Sequence, residues 1–119
     1  MFSVIIAPMM INDNVFIQTR CFLDNDGVLA NFDKLATEIL GMPAREFEDT
    51  HGSKVFWTTL RDYEENGKGF FECLPLMPDA MELVDAVRHL NPTILTGCPV
   101  GDWAPAQKQK WKEQHFPEL

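Results

Sequence analysis

Two carboxylates, Asp24 and Asp26, stand two positions apart at the end of the apolar run Cys21-Phe22-Leu23, and Gly27 follows them directly. Carboxylates in that position can divide a hard hydrolysis between them. The first can attack phosphorus and form an acyl phosphate, so that one difficult displacement becomes two easier ones. The second can protonate the leaving alcohol and then take a proton from water. Attack by an anion on a phosphate dianion needs charge neutralisation, and a magnesium ion held by hard oxygen ligands supplies it. Gly27 lets the chain turn sharply and brings main-chain N–H groups close to a bound anion.

The elements that must position these groups can be read from the apolar spacing. Val15–Asp24 alternates and then becomes wholly apolar, which predicts a strand buried near its C-terminal end. Residues 4–11 form a second candidate strand. Phe32, Leu35, Ala36, Ile39 and Leu40 share one helical face, and Gly41 and Pro43 stop that helix. Residues 43–52 read as a helix start or a loop, and Lys54–Tyr63 as a short aromatic-rich helix. Asn66-Gly67-Lys68-Gly69 is a turn signal. A helix is expected from Asp79 to about Leu90, with Pro78 at its first turn. Thr93–Thr96 is expected to be a short buried strand ended by Gly97, and a last helix runs from about Ala106 to His115. Strands alternating with helices predict an α/β fold built on a parallel sheet, whose strand C-termini form the ligand crevice.

Thr96 could be a helix cap or turn residue on its own, and only its place after a buried strand favours a functional role. Lys108, Lys110 and Lys112 form a basic cluster; Lys108 and Lys112 share a helical face while Lys110 points away. Such a cluster can equally be a solvated helix face. Cys98 beside Thr96 invites a thiol-nucleophile reading, which is disfavoured because a free cysteine is more often a small buried hydrophobe. His51, His89 and His115 have no zinc-ligand spacing.

The tract LDNDGVL resembles the first motif of haloacid dehalogenase-like (HAD) phosphatases: a hydrophobic strand, then two aspartates around one residue, then glycine and an apolar pair. Thr93-Ile94-Leu95-Thr96-Gly97 resembles the second motif, and Lys108 before Trp111 resembles the third-motif lysine. The order of the three agrees with the family. The resemblance implies Asp24 as nucleophile, Asp26 as acid/base, Thr96 as a donor to phosphate and Lys108 as charge neutraliser. It further implies magnesium held by the Asp24 carboxylate and the Asp26 carbonyl, and a phosphate lined by the loops at Gly27 and Gly97. The tracts DGVLANF, GFFECLPLMPDAMELV and QKQKWKEQHF are similar to segments of the 5'(3')-deoxyribonucleotidase branch. That likeness covers roughly residues 15–116. It implies an HAD-like parallel sheet from 1–32 and 76–119 with a small helical cap at 33–75, and a (deoxy)nucleoside 5'-monophosphate as substrate. Phe70, Phe71 and Trp57 become candidates for stacking on a base, with packing inside the cap as the even alternative for the two phenylalanines.

One part of the pattern is missing. The family's fourth motif, a later strand ending in acidic residues that complete the magnesium site, has no counterpart, and the sheet is expected to be incomplete at its C-terminal side. A fragment of a longer protein is the favoured reading. An open strand edge then predicts self-association or a companion C-terminal segment. Two other functions stay open: an inactive binding or regulatory module that keeps the fold, and a phosphotransferase sharing the first half-reaction. Asp26 argues against dehalogenation, which has no leaving alcohol to protonate.

The 119-residue chain suits one small domain, and its composition, 45% hydrophobic and 24% charged, is that of an ordinary globular protein. A net charge of −8 disfavours nucleic acid as a partner. The odd count of three cysteines without a CxxC pair predicts reduced thiols in a cytoplasmic protein. The apolar N-terminus lacks a basic start and is too short to span a membrane.

Overall fold

The computed structural model describes residues 4–11 and 16–119, with side chains from Arg20 onwards. The chain is a mixed α/β protein. β1 (Val4–Ile11) and β2 (Phe16–Leu23) form an antiparallel pair that runs from Ile11↔Phe16 to Val4↔Leu23. Val15, the expected first residue of the second strand, lies outside the described residues. β5 (Thr93–Ile94) adds to the other edge of β2 in parallel, so the sheet order is β1-β2-β5. The sheet is therefore mixed: parallel pairing is confined to Phe22↔Thr93 and Leu23↔Ile94, continued by the Leu95 N–H to Leu23 O at 2.8 Å. The expected buried strand through Thr96 is shorter and more open than the apolar pattern implied. Thr93 and Leu95 are exposed, because among the described residues nothing pairs with the outer edge of β5.

α1 (Phe32–Leu40) has the predicted bounds. Asn31 caps it by accepting the Lys34 N–H, and Gly41 ends it in the left-handed region at φ 75°, its N–H returning to Thr37 O. α2 (Ala44–His51) resolves the ambiguous 43–52 segment as a helix, and Gly52 at φ 89° separates it from α3 (Ser53–Arg61). β3 (Glu64–Glu65) and β4 (Lys68–Gly69) make a minimal hairpin, whose Asn66-Gly67 turn has φ of 54° and 79°. Positive φ at both central residues matches the twist of flanking strands.

A short 3₁₀ turn at Phe71–Cys73 leads to α4 (Ala80–Val87), which tightens to 3₁₀ geometry over Arg88–Leu90 before Asn91 turns back. α5 (Trp103–His115) starts three positions earlier than expected. Pro105 does not delay it, because the N–H groups of a helix's first turn have no partner within the helix.

The core is one continuous apolar cluster. It joins Leu23, Leu29 and Ala30 near the sheet to Leu35, Ala36 and Leu40 of α1, to Phe56 and Leu60 of α3, to Phe70, Phe71 and Leu74, to Val84 of α4, and to Trp111 of α5. Burying each large apolar side chain stabilises the fold by about 1.5–3 kcal/mol. Trp111 is 1% exposed and its indole N–H donates to Leu74 O at 2.7 Å, so its one polar atom is satisfied inside the core. Among the described residues no helix is long and apolar enough to cross a membrane.

Candidate active site

The Asp24–Ala30 turn is organised by one main-chain atom. Asn25 O accepts the N–H groups of Val28, Leu29 and Ala30 at 3.1, 2.9 and 3.0 Å, while the Gly27 N–H returns to Ala30 O at 2.8 Å. That winding needs Gly27 at φ 81°, where a side chain would be strained although space is open around it. Leu29 and Ala30 anchor the turn in the core at 0% exposure. The two aspartates consequently leave the end of β2 in different directions: Asp24 is exposed and its Oδ1 accepts the Asn25 N–H at 2.8 Å, while Asp26 reaches towards α5.

Lys108 is the hub. It is buried, with its side chain 5% exposed, and its ammonium donates to Asp26 Oδ2 at 2.7 Å, to Thr96 Oγ1 at 2.9 Å and to Gly97 O at 2.6 Å. An ammonium has three donors, so this one is fully used. The structure thus brings together four of the sequence-predicted residues, Asp26, Thr96, Gly97 and Lys108, from three separate segments. Burying a lysine without partners would be costly, and the carboxylate, hydroxyl and carbonyl make it tolerable. Lys110 is exposed and takes no part; Lys112, on the Lys108 face as expected, donates to Pro117 O at 3.2 Å.

The remaining predicted residues fall elsewhere. Asp24 makes no bond to Lys108 or Thr96 among the described contacts; its carboxylate stands open at the mouth of the turn. Phe70 and Phe71 are 0% and 1% exposed, so neither ring has a face free for a base as placed, and the stacking expectation gives way to packing. Both rings contact Phe32 and each other edge-on or tilted, and the Phe71 face lies under the Lys108 ammonium, 4.6 Å from its centroid. Trp57 is half-buried against Phe32 and Phe56, with Trp103 6.5 Å away. Cys98 is exposed.

Sequence reasoning missed Asn25 and Gln107. Asn25 is 2% exposed and its Oδ1 has no hydrogen-bond partner among the described residues. An amide buried between two catalytic-type carboxylates carries no periodic signal that could have flagged it. Gln107 accepts the Phe71 N–H at 2.9 Å, an interaction across 36 positions that no local pattern encodes. A cleft of about 360 Å³ opens beside this cluster, between β5 and α5, with Asn25, Thr96, Cys98, Lys108 and Lys112 in its lining. His115, one turn beyond Trp111, stacks against that ring at 4.6 Å, and burial together with the Lys68 charge pulls its pKa below the ordinary histidine value.

Oxygen donors of the hard kind that magnesium takes are present at the turn. Asp26 Oδ1 is buried with no hydrogen-bond partner among the described residues, and the Asp24 carboxylate is open. No group of three or more His, Cys, Asp or Glu side chains gathers around a metal position among the described residues. Magnesium does not demand one, since it is usually held by one or two carboxylates and keeps several waters or substrate oxygens.

No protein-family model matches the chain, and no curated protein matches it.

Proposed function

We propose that the chain is an HAD-like, magnesium-dependent phosphate monoester hydrolase that works through an aspartyl phosphate, with a (deoxy)nucleoside 5'-monophosphate as the substrate class. The observation that carries this reading is the Lys108 ammonium joined to both Asp26 and Thr96, at 2.7 and 2.9 Å. It unites an acid, a hydroxyl and a cation from the three motif-bearing segments, the acid two positions after the exposed Asp24. A structural turn alone would not require a buried lysine to gather them.

In this reading the Asp24 carboxylate oxygen attacks phosphorus, a bond forms between them, and the bond from phosphorus to the ester oxygen breaks. Asp26 enters this half-reaction as the neutral acid, hydrogen-bonded to Lys108 and not ion-paired with it, and gives its proton to the departing alkoxide. In the second half-reaction Asp26 takes a proton from water as the water oxygen attacks phosphorus, and the Asp24–phosphorus bond breaks to regenerate the carboxylate. Thr96 donates its hydroxyl proton to a phosphoryl oxygen, and Lys108 balances charge on the transferring group. Because the lysine's donors are already used, an arriving phosphoryl oxygen must displace one of its three partners. When bound, magnesium would be held by the Asp24 carboxylate and the Asp26 carbonyl, and would neutralise charge on the phosphoryl group.

The proposal divides the chain into a core at 1–32 and 76–119 and a small helical cap at 33–75, with a cytoplasmic location. Self-association or a companion segment would cover the open side of β5. The test is phosphate release from deoxynucleoside monophosphates, ribonucleoside monophosphates and an aryl phosphate, with and without magnesium, beside Asp24→Asn. Expected is magnesium-dependent release that the substitution reduces to background, with the deoxynucleotides preferred. Release that persists in Asp24→Asn would remove Asp24 as the nucleophile. A folded chain without turnover would favour the binding-module reading.

A further inference from the structure

One helical turn of α5 grips one short segment of chain at three places. Gln107 Oε1 accepts the Phe71 N–H at 2.9 Å, the Trp111 indole N–H donates to Leu74 O at 2.7 Å, and between them the Lys108 ammonium lies over the Phe71 ring. Gly69 sits directly beneath the Gln107 amide, where a Cβ would fall 2.2 Å from Nε2. Gly69 has no positive φ, and a side chain there would push the flexible Gln107 amide away from its present place. The ring under the ammonium, and the amide that holds the ring's own N–H, therefore form a seat for the Lys108 ammonium.

From this geometry we propose that Phe71 is a positioning residue for Lys108, and that Gln107 and Gly69 fix Phe71 in place. A lysine side chain is a compact charge on a flexible four-carbon stem with many rotamers. Asp26, Thr96 and Gly97 hold its donors from one side. Those partners alone would let the ammonium follow Asp26 or Thr96 if either turned. The electron-rich face of Phe71, 4.6 Å from Nζ, attracts the charge from another direction and lies within the range where a ring holds a cation. Phe71 is itself immobile: it is 1% exposed, and Phe32, Phe70 and Trp103 surround it. The kinetic part of this inference rests on the phosphohydrolase reading, but the seat does not.

The test replaces Phe71 with phenylalanines carrying one, two and three ring fluorines. Fluorination keeps the shape and apolar character of the ring while draining its face of negative charge. The first readout is the NMR signal of the Lys108 ammonium, whose proton exchange with water reports how firmly it is held. The second is kcat and KM in the phosphatase assay. Expected is exchange that quickens with each fluorine, accompanied by a kcat that falls stepwise by about 10-fold to 100-fold in all, the scale set by an ångström-sized misplacement of a catalytic group. KM should move much less. Exchange unchanged across the series would overturn the proposal and leave Phe71 as a space-filler. Quickening exchange in a chain with no turnover would uphold the seat and sink the phosphohydrolase reading. Gln107→Leu and Gln107→Glu supply an independent pair: loss of the acceptor should quicken exchange, and the glutamate should restore it. Equal exchange in both would count against the seat even if the fluorinated chains did not fold.

Discussion

Replacing Lys108 by methionine keeps the length and packing of the stem and removes the charge. Three hydrogen bonds are lost, to Asp26, Thr96 and Gly97. The larger effect falls on Asp26, whose Oδ1 already lacks a partner among the described residues and whose Oδ2 would lose its own. Breaking a fully buried ion pair from one side costs about 3–5 kcal/mol. The Asp26 side chain is 29% exposed, so water can solvate it in part, and about 2–3 kcal/mol is the appropriate expectation. For a chain of this size that lowers Tm by about 10 °C. Urea titration followed by tryptophan fluorescence measures it, with the buried Trp111 as reporter. Asp26→Asn alone should cost less, because Lys108 retains two acceptors. The double variant should be more stable than the sum of the singles predicts, by about 1–2 kcal/mol. A Lys108→Met chain within about 0.5 kcal/mol of the parent, or strictly additive singles, would refute the view that this ion pair is a coupled unit of the fold.

Two further outcomes follow from particular contacts. His115 has a folded-state pKa below its ordinary 6.5, so the unfolded chain binds the extra proton first; its contribution to stability is complete above pH 6.5 and is lost as pH falls through the folded value. His115→Gln should flatten that acid loss in urea midpoints measured between neutral and mildly acidic pH, and an unchanged slope would show that burial of this ring is not the cause. Asn31→Ala removes the side-chain acceptor for the Lys34 N–H and should cost about 1 kcal/mol in chemical denaturation, whereas Asn31→Asp keeps the cap and should cost little.

Local chemistry made much of this molecule legible without its fold. The 3.6-residue spacing from Phe32 to Leu40, bounded by an asparagine cap and Gly41, determines α1 because both the apolar face and the stop signals lie within the segment. Asn66-Gly67 likewise determines a hairpin turn through its own backbone preferences. The sheet was less legible. A strand's partners lie elsewhere in the chain, so residues 4–11 could not reveal that they pair antiparallel with β2, nor could the apolar run Thr93–Leu95 reveal that its strand would shrink to Thr93–Ile94; the open outer edge was expected from the missing later strand, and among the described residues nothing pairs there. The same distinction runs through the site. The types and order of Asp24, Asp26, Thr96 and Lys108 raised the expectation of phosphoryl chemistry. Only tertiary structure decided that Lys108 reaches Asp26 and not Asp24, across 82 positions, and that Phe70 and Phe71 turn into the core. It also decided that Phe71 lends its ring to the lysine. A side chain's type and neighbours in sequence define what it can do; its burial and its partners depend on segments brought alongside by folding.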